Sequence, residues 1–128
     1  MNTKLILISS SLVMGIAGLA ASFFPKEILL YLGYPSAGFE HLLIQVMGAL
    51  YFGFAMMNWM ARDFIIGGIY ARPIAMGNFV HFLVAGLALI KGAFSISNSP
   101  VLWVAAGIYS VFALLFYLIA FRHPKTEN

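Results

Sequence analysis

The run VLWVAAGIYSVFALLFYLIAF, from Val101 to Phe121, carries no charge and is relieved only by Gly107, Ser110, two tyrosines and a tryptophan. Coiled as a helix at 1.5 Å per residue, it is long enough to cross a hydrocarbon core of about 30 Å. Outward from it, toward the N-terminus, three more such runs appear. Leu5 to Phe24 and Leu42 to Ala61 are charge-free, and Pro73 to Ile90 is shorter but extends back to Tyr70 through FIIGGIYA. The expected spans are therefore about 5–24, 42–61, 70–90 and 101–121. A backbone in lipid must satisfy its own polar groups, and no alternation of the barrel kind is present, so helices are expected. The predicted fold is all-α: an integral membrane four-helix bundle, up-down-up-down, forming one domain over residues 1–128.

Composition agrees. The chain is 62% hydrophobic and 9% charged, too little polar surface to cover a small domain in water. Its net charge of +3 comes from Lys and Arg scattered singly, with none of the basic stripe that nucleic acid requires, so nucleic acid is not expected as a partner. Absence of Cys excludes disulfides, thiolate metal sites and covalently attached haem.

The prolines Pro25, Pro35, Pro73, Pro100 and Pro124 fall at or beyond the ends of the runs, where a missing backbone donor costs little. With four spans, Lys4, Arg62, Arg72, Arg122 and Lys125 share one face and Lys26 and Lys91 the other. That asymmetry places both termini in the cytoplasm of a cell (inner) membrane protein. A competing reading takes the first run, ending in AGLAAS, as a cleaved signal. The connection FPKEILLYLGYPSAGFEH reads either as a short interfacial helix opened by Pro25 and closed by Gly33, or as an extension of the first span. SISNSP offers Ser and Asn caps to the last helix, and the tail RHPKTEN is polar and expected to be loose.

The halves also resemble one another. IAGLA (Ile16–Ala20) matches VAGLA (Val84–Ala88), and YFGFAMM from Tyr51 matches YSVFALL from Tyr109. Two similar helical hairpins, related about an axis along the membrane normal, are expected if the match is real.

Polar residues inside apolar runs supply the functional candidates. Asn78 and His81 share a face that continues through Ala85, Ala88 and Gly92. One reading makes them interhelical glue. Another joins His81 to Tyr51 and Tyr109 in a mid-plane cavity for a ligand or proton. At the cytoplasmic ends, Asn58, Arg62, Arg72 and Asn78 form a second set, read either as holding a lipid phosphate or as topology anchors. Ser9, Ser10 and Ser11 are expected to bond their own helix carbonyls, and Gly15, Gly18, Ala49 and Gly53 to serve packing.

NWMARD followed by RPIAMGN resembles a pattern seen in small bacterial four-span membrane proteins of unknown function, distantly similar to DoxX-like proteins. The match rests on Asn58, Trp59, Ala61, Arg62, Arg72, Gly77 and Asn78. The resemblance implies the four-span architecture, and no activity, since the family has none established.

None of Glu27, Glu40, Asp63 and Glu127 falls in an expected span, and no phosphate loop, nucleophile set or metal-ligand cluster is present. The leading expectation is a non-enzymatic protein that binds lipid or a small apolar molecule, or acts as an accessory membrane protein, with no cofactor and no metal. Alternatives are a small-molecule transporter working as an oligomer, and a membrane enzyme or redox accessory subunit using His81. Expected partners are membrane lipid and either a second copy or a larger membrane protein.

Overall fold

A computed structural model describes residues 2–35, 38–64, 71–96 and 98–122. These form α1 (Thr3–Phe23), α2 (Pro25–Tyr31), α3 (Phe39–Ala61), α4 (Ala71–Ser95) and α5 (Pro100–Phe121), with no strand among the described residues. Helices α1, α3, α4 and α5 are each long and apolar enough to cross a membrane, and the chain is a multi-pass membrane protein on that ground. The connection at 65–70, residues 36 and 37 of the outer loop, and the tail from 123 to 128 lie outside the described residues.

Each helix boundary has a local cause. Phe24, ahead of Pro25, leaves the helical region at φ −125° and ψ 42°, and Pro25 then opens α2, because proline crowds the residue before it out of αR. The outer connection thus holds a separate short helix, not a longer α1. It ends in a Schellman motif: Gly33 takes φ +82°, with Tyr34 N donating to Leu29 O at 2.9 Å and Gly33 N to Leu30 O at 3.1 Å. Helix α4 runs to Ser95, past the expected end at Ile90. Lys91 is exposed there, so its flexible stem can carry the charge toward water without ending the helix. Ser99 is the N-cap of α5, but its side chain makes no capping bond. Pro100 follows at the first helical position, where its missing N–H leaves one fewer donor without a helical partner.

The chain falls into two compact units, Leu7–Arg62 and Met1–Ile6 with Asp63–Asn128. In the first, α1 and α3 run antiparallel in intimate contact. A Cβ on Gly18 would stand 2.7 Å from Phe52 N and 2.9 Å from Gly48 O, and one on Gly48 would stand 2.7 Å from Ser22 N. Two backbones meet there because neither has a side chain in the way. Gly15 packs ordinarily, 3.5 Å from the Ala55 methyl, whereas Gly53 meets nothing within 4 Å and Ala49 is exposed. Packing therefore falls to Gly18 and Gly48, the second of which the sequence pattern did not single out.

In the second unit α4 and α5 pack through rings. Phe82, fully buried, lies 5.0 Å from Phe112 and 5.7 Å from Phe116 in stacked geometry, with Tyr109 edge-on at 5.2 Å. The contacts run antiparallel, from Phe79 against Phe121 at one end to Phe94 against Trp103 at the other.

The two hairpins are built alike, as the repeat predicts. Gly18 meets the backbone of Phe52, and its counterpart Gly86 stands nearest Tyr109 and Ser110, the latter being the counterpart of Phe52. The same register pairs Met14 with Phe82, Ser10 with Asn78, Asn58 with Phe116 and Ala55 with Ala113, and every one of these residues is buried. The difference lies in size. Gly15, Ser22 and Gly48 of the first hairpin are Leu83, Ile90 and Ala106 in the second, so the second is propped by side chains where the first closes on backbone.

Candidate functional site

Three polar residues of the first unit, Ser10, Ser11 and Asn58, are buried between α1 and α3. Asn58 is fully buried; its Nδ2 donates to Ser10 Oγ at 3.1 Å, and Ser10 Oγ donates to Leu7 O at 3.0 Å. Ser10 thus bonds its own helix as expected. Ser11 does not: its hydroxyl crosses to Ala55 O on α3 at 2.7 Å, because the close backbone approach brings a foreign carbonyl within reach. Arg62 donates from Nη1 to Trp59 O at 2.6 Å, with its guanidinium 4.3 Å above the Trp59 ring. Tyr51 is half-buried on α3.

In the second unit Asn78 is fully buried and its Nδ2 donates to Ile74 O at 2.9 Å, one turn back on the same helix. His81 is half-buried, its ring 5.1 Å from Phe82 and 5.7 Å from the buried Tyr109. Imidazole and phenol are therefore brought together on α4 and α5, as the cavity reading requires of that pair. Arg72 is exposed in the first turn of α4. The stripe expected through Ala85, Ala88 and Gly92 is not the packed face of α4. Ala88 is exposed, Gly92 meets nothing within 4 Å, and the buried line runs through Ala75, Asn78, Phe82, Gly86 and Ala93. The contact face of α4 passes one residue beside His81, through Phe82.

A groove of about 370 Å³ lies between α4 and α5. Phe82, Gly86 and Ala113, all buried, form its floor, while Leu83, Leu87 and Leu114 stand exposed as its rims. Phe79 and Tyr117 line one end, Ile90 the other, and Ser110 adds one hydroxyl, which donates to Ala106 O at 2.7 Å. The lining is otherwise hydrocarbon, suited to an alkyl chain and to little else. Sequence reasoning missed this site because it looked for polar atoms. The signal was present as large residues, Leu83 and Ile90, at positions where the matching hairpin has Gly15 and Ser22. No protein-family signature matches the chain, and no curated protein or solved structure is measurably similar to it.

Proposed function

We propose that this is a non-enzymatic protein of the cell membrane, both termini cytoplasmic, that holds a lipid tail or similar small apolar molecule in the α4–α5 groove. The observation that carries this reading is the groove itself: its volume falls within the range of ligand pockets, its lining is apolar, and its walls are paired helices, not a loop. The duplicated architecture strengthens it. At the position of Ser110 the first hairpin has Phe52, and α1 and α3 close on one another there; in the second hairpin the approach is looser, a Cβ on Gly86 standing 3.5 Å from Tyr109 Cβ. The cytoplasmic placement of the termini rests on Lys4, Arg62, Arg72, Arg122 and Lys125 lying opposite Lys26 and Lys91.

Ser110→Phe gives the groove the residue its counterpart already carries and fills it. Native mass spectrometry of gently extracted protein is expected to show a lipid adduct on the wild type that falls at least about tenfold in this variant. Leu12→Phe, at an exposed site on α1, leaves the adduct in place. A wild type without adduct, or an adduct indifferent to Ser110→Phe, contradicts the proposal.

A further inference from the structure

We infer that the molecule held by α4–α5 is an anionic glycerophospholipid, one acyl chain in the groove and its phosphate at the end marked by Arg72 and Arg122; this rests on the groove reading above. Phe79 and Tyr117 line that end, their rings 5.7 Å apart, and Phe121 packs on both, at 5.7 Å and 4.9 Å. Because the helices are antiparallel, α4 begins and α5 stops beyond this aromatic end. Arg72 precedes Phe79 by about 10 Å of helix, and Arg122 follows Tyr117 by about 7 Å. Both arginines are exposed, and among the described residues neither faces a carboxylate.

The repeat shows how the other hairpin treats the corresponding cation. Lys4 is the counterpart of Arg72, and its Nζ lies 2.6 Å from Asp63 Oδ1. The counterpart of Asp63 is Phe121. Where the first copy places the carboxylate that neutralises its cation, the second places a ring, and it adds Arg122 one residue further on. At this end the first copy sets one carboxylate, Asp63, against Lys4 and Arg62, leaving a single positive charge in excess. Among the described residues the second copy has two guanidinium groups at this end and no acid, each guanidinium able to grip a phosphate through paired donors. An alkyl-lined trough leading to an uncompensated cationic end is complementary to a phospholipid of net negative charge, and a zwitterionic headgroup brings its own cation to the same place.

The test is a native mass spectrometry titration of the full chain in detergent with phosphatidylglycerol and phosphatidylcholine of identical acyl chains. The wild type is expected to prefer phosphatidylglycerol by roughly tenfold, and Arg72→Gln with Arg122→Gln to bring the ratio close to one without reducing phosphatidylcholine binding. Both substitutions are at exposed positions, so folding is not at stake, and circular dichroism of the variant verifies it. Equal retention of the two lipids by the wild type, released together by Ser110→Phe, overturns this inference and leaves the groove reading standing. A preference that survives the double substitution also overturns it. Retention of neither lipid by the wild type overturns the groove reading, and this inference with it.

Discussion

Gly18→Leu is expected to abolish the α1–α3 hairpin. A Cβ at this position stands 2.7 Å from one backbone atom of α3 and 2.9 Å from another, so no rotamer change relieves the clash and two helices must separate. Overpacking in a core commonly costs about 1–3 kcal/mol; here even alanine should reach the upper part of that range, and leucine should exceed it. Separation also breaks what the close approach permits, namely the Ser11 bond to Ala55 O and the Asn58 bond to Ser10. Interhelical hydrogen bonds in membranes average only about 0.6 kcal/mol, so the steric cost dominates and the polar loss adds to it. Gly53→Ala and Gly77→Ala, where a Cβ meets nothing within 4 Å, should be neutral or stabilising by up to about 1 kcal/mol, the helix-propensity difference. Reversible unfolding in mixed micelles ranks the variants. Equal behaviour of Gly18→Ala and Gly53→Ala shows the crossing to be wrong.

Phe82→Ala should have the second largest effect, for the opposite reason. The first hairpin fails when something is added, and the second when something is removed. Phe82 is fully buried, stacked with Phe112 and Phe116 and edge-on to Tyr109. Removing a buried phenylalanine costs about 3–5 kcal/mol in soluble cores, where lost transfer from water and a cavity both contribute. In a membrane the unfolded reference already lies in hydrocarbon, so the transfer part largely cancels and packing remains. A loss of about 2–3 kcal/mol is expected, below the soluble figure. Leu87→Ala, at an exposed rim position, should cost less than about 1 kcal/mol. Comparable losses at the two positions, by the same unfolding measurement, remove the aromatic core from the account.

The architecture was legible because lipid imposes a coarse rule. A helix that crosses hydrocarbon must be long, apolar and nearly free of charge, and α1, α3 and α5 follow that rule to within a few residues. Proline marked the break at Phe24 and the start of α5, and Gly33 marked the end of α2. The end of α4 is not legible at Lys91, because a charge reads as a boundary in a hydropathy pattern, whereas an exposed lysine on the last turns leaves the backbone helical to Ser95.

Packing faces were harder to read. In a soluble helix the apolar stripe announces the core, but here nearly every position is apolar and the stripe has no contrast. Hydropathy therefore groups Gly53 with Gly18, and Gly92 with Asn78, although steric facts unrelated to hydropathy separate them. The faint similarity of the halves proved a better guide than either periodicity or polarity. Once Gly18 is aligned with Gly86, the buried positions of one hairpin locate those of the other. The places where the copies disagree in size and charge, Ser22 against Ile90, Phe52 against Ser110 and Asp63 against Phe121, mark the groove and its cationic end.

The polar candidates divide by what they touch. Asn58 and Asn78 are wholly enclosed; the Nδ2 of Asn58 reaches Ser10 across the α1–α3 contact and so ties two helices, whereas that of Asn78 bonds back to Ile74 O on its own helix. His81 and Tyr109 are neighbours in an aromatic cluster, beside the groove and not among the residues that line it. Of the residues singled out for ligand contact, Arg72 alone is left exposed near the groove end.

The absence of native cysteine makes the fourfold crossing directly measurable by single-cysteine accessibility. Cysteines placed one at a time at Asn2, Tyr34, Phe64 and Asn98 fall before α1, after α2, after α3 and before α5. With a membrane-impermeant maleimide and intact cells, the positions at Tyr34 and Asn98 should label at once, and those at Asn2 and Phe64 only after permeabilisation. Labelling of all four from one side, or of Tyr34 and Asn98 from opposite sides, contradicts a chain that crosses the membrane through α1, α3, α4 and α5.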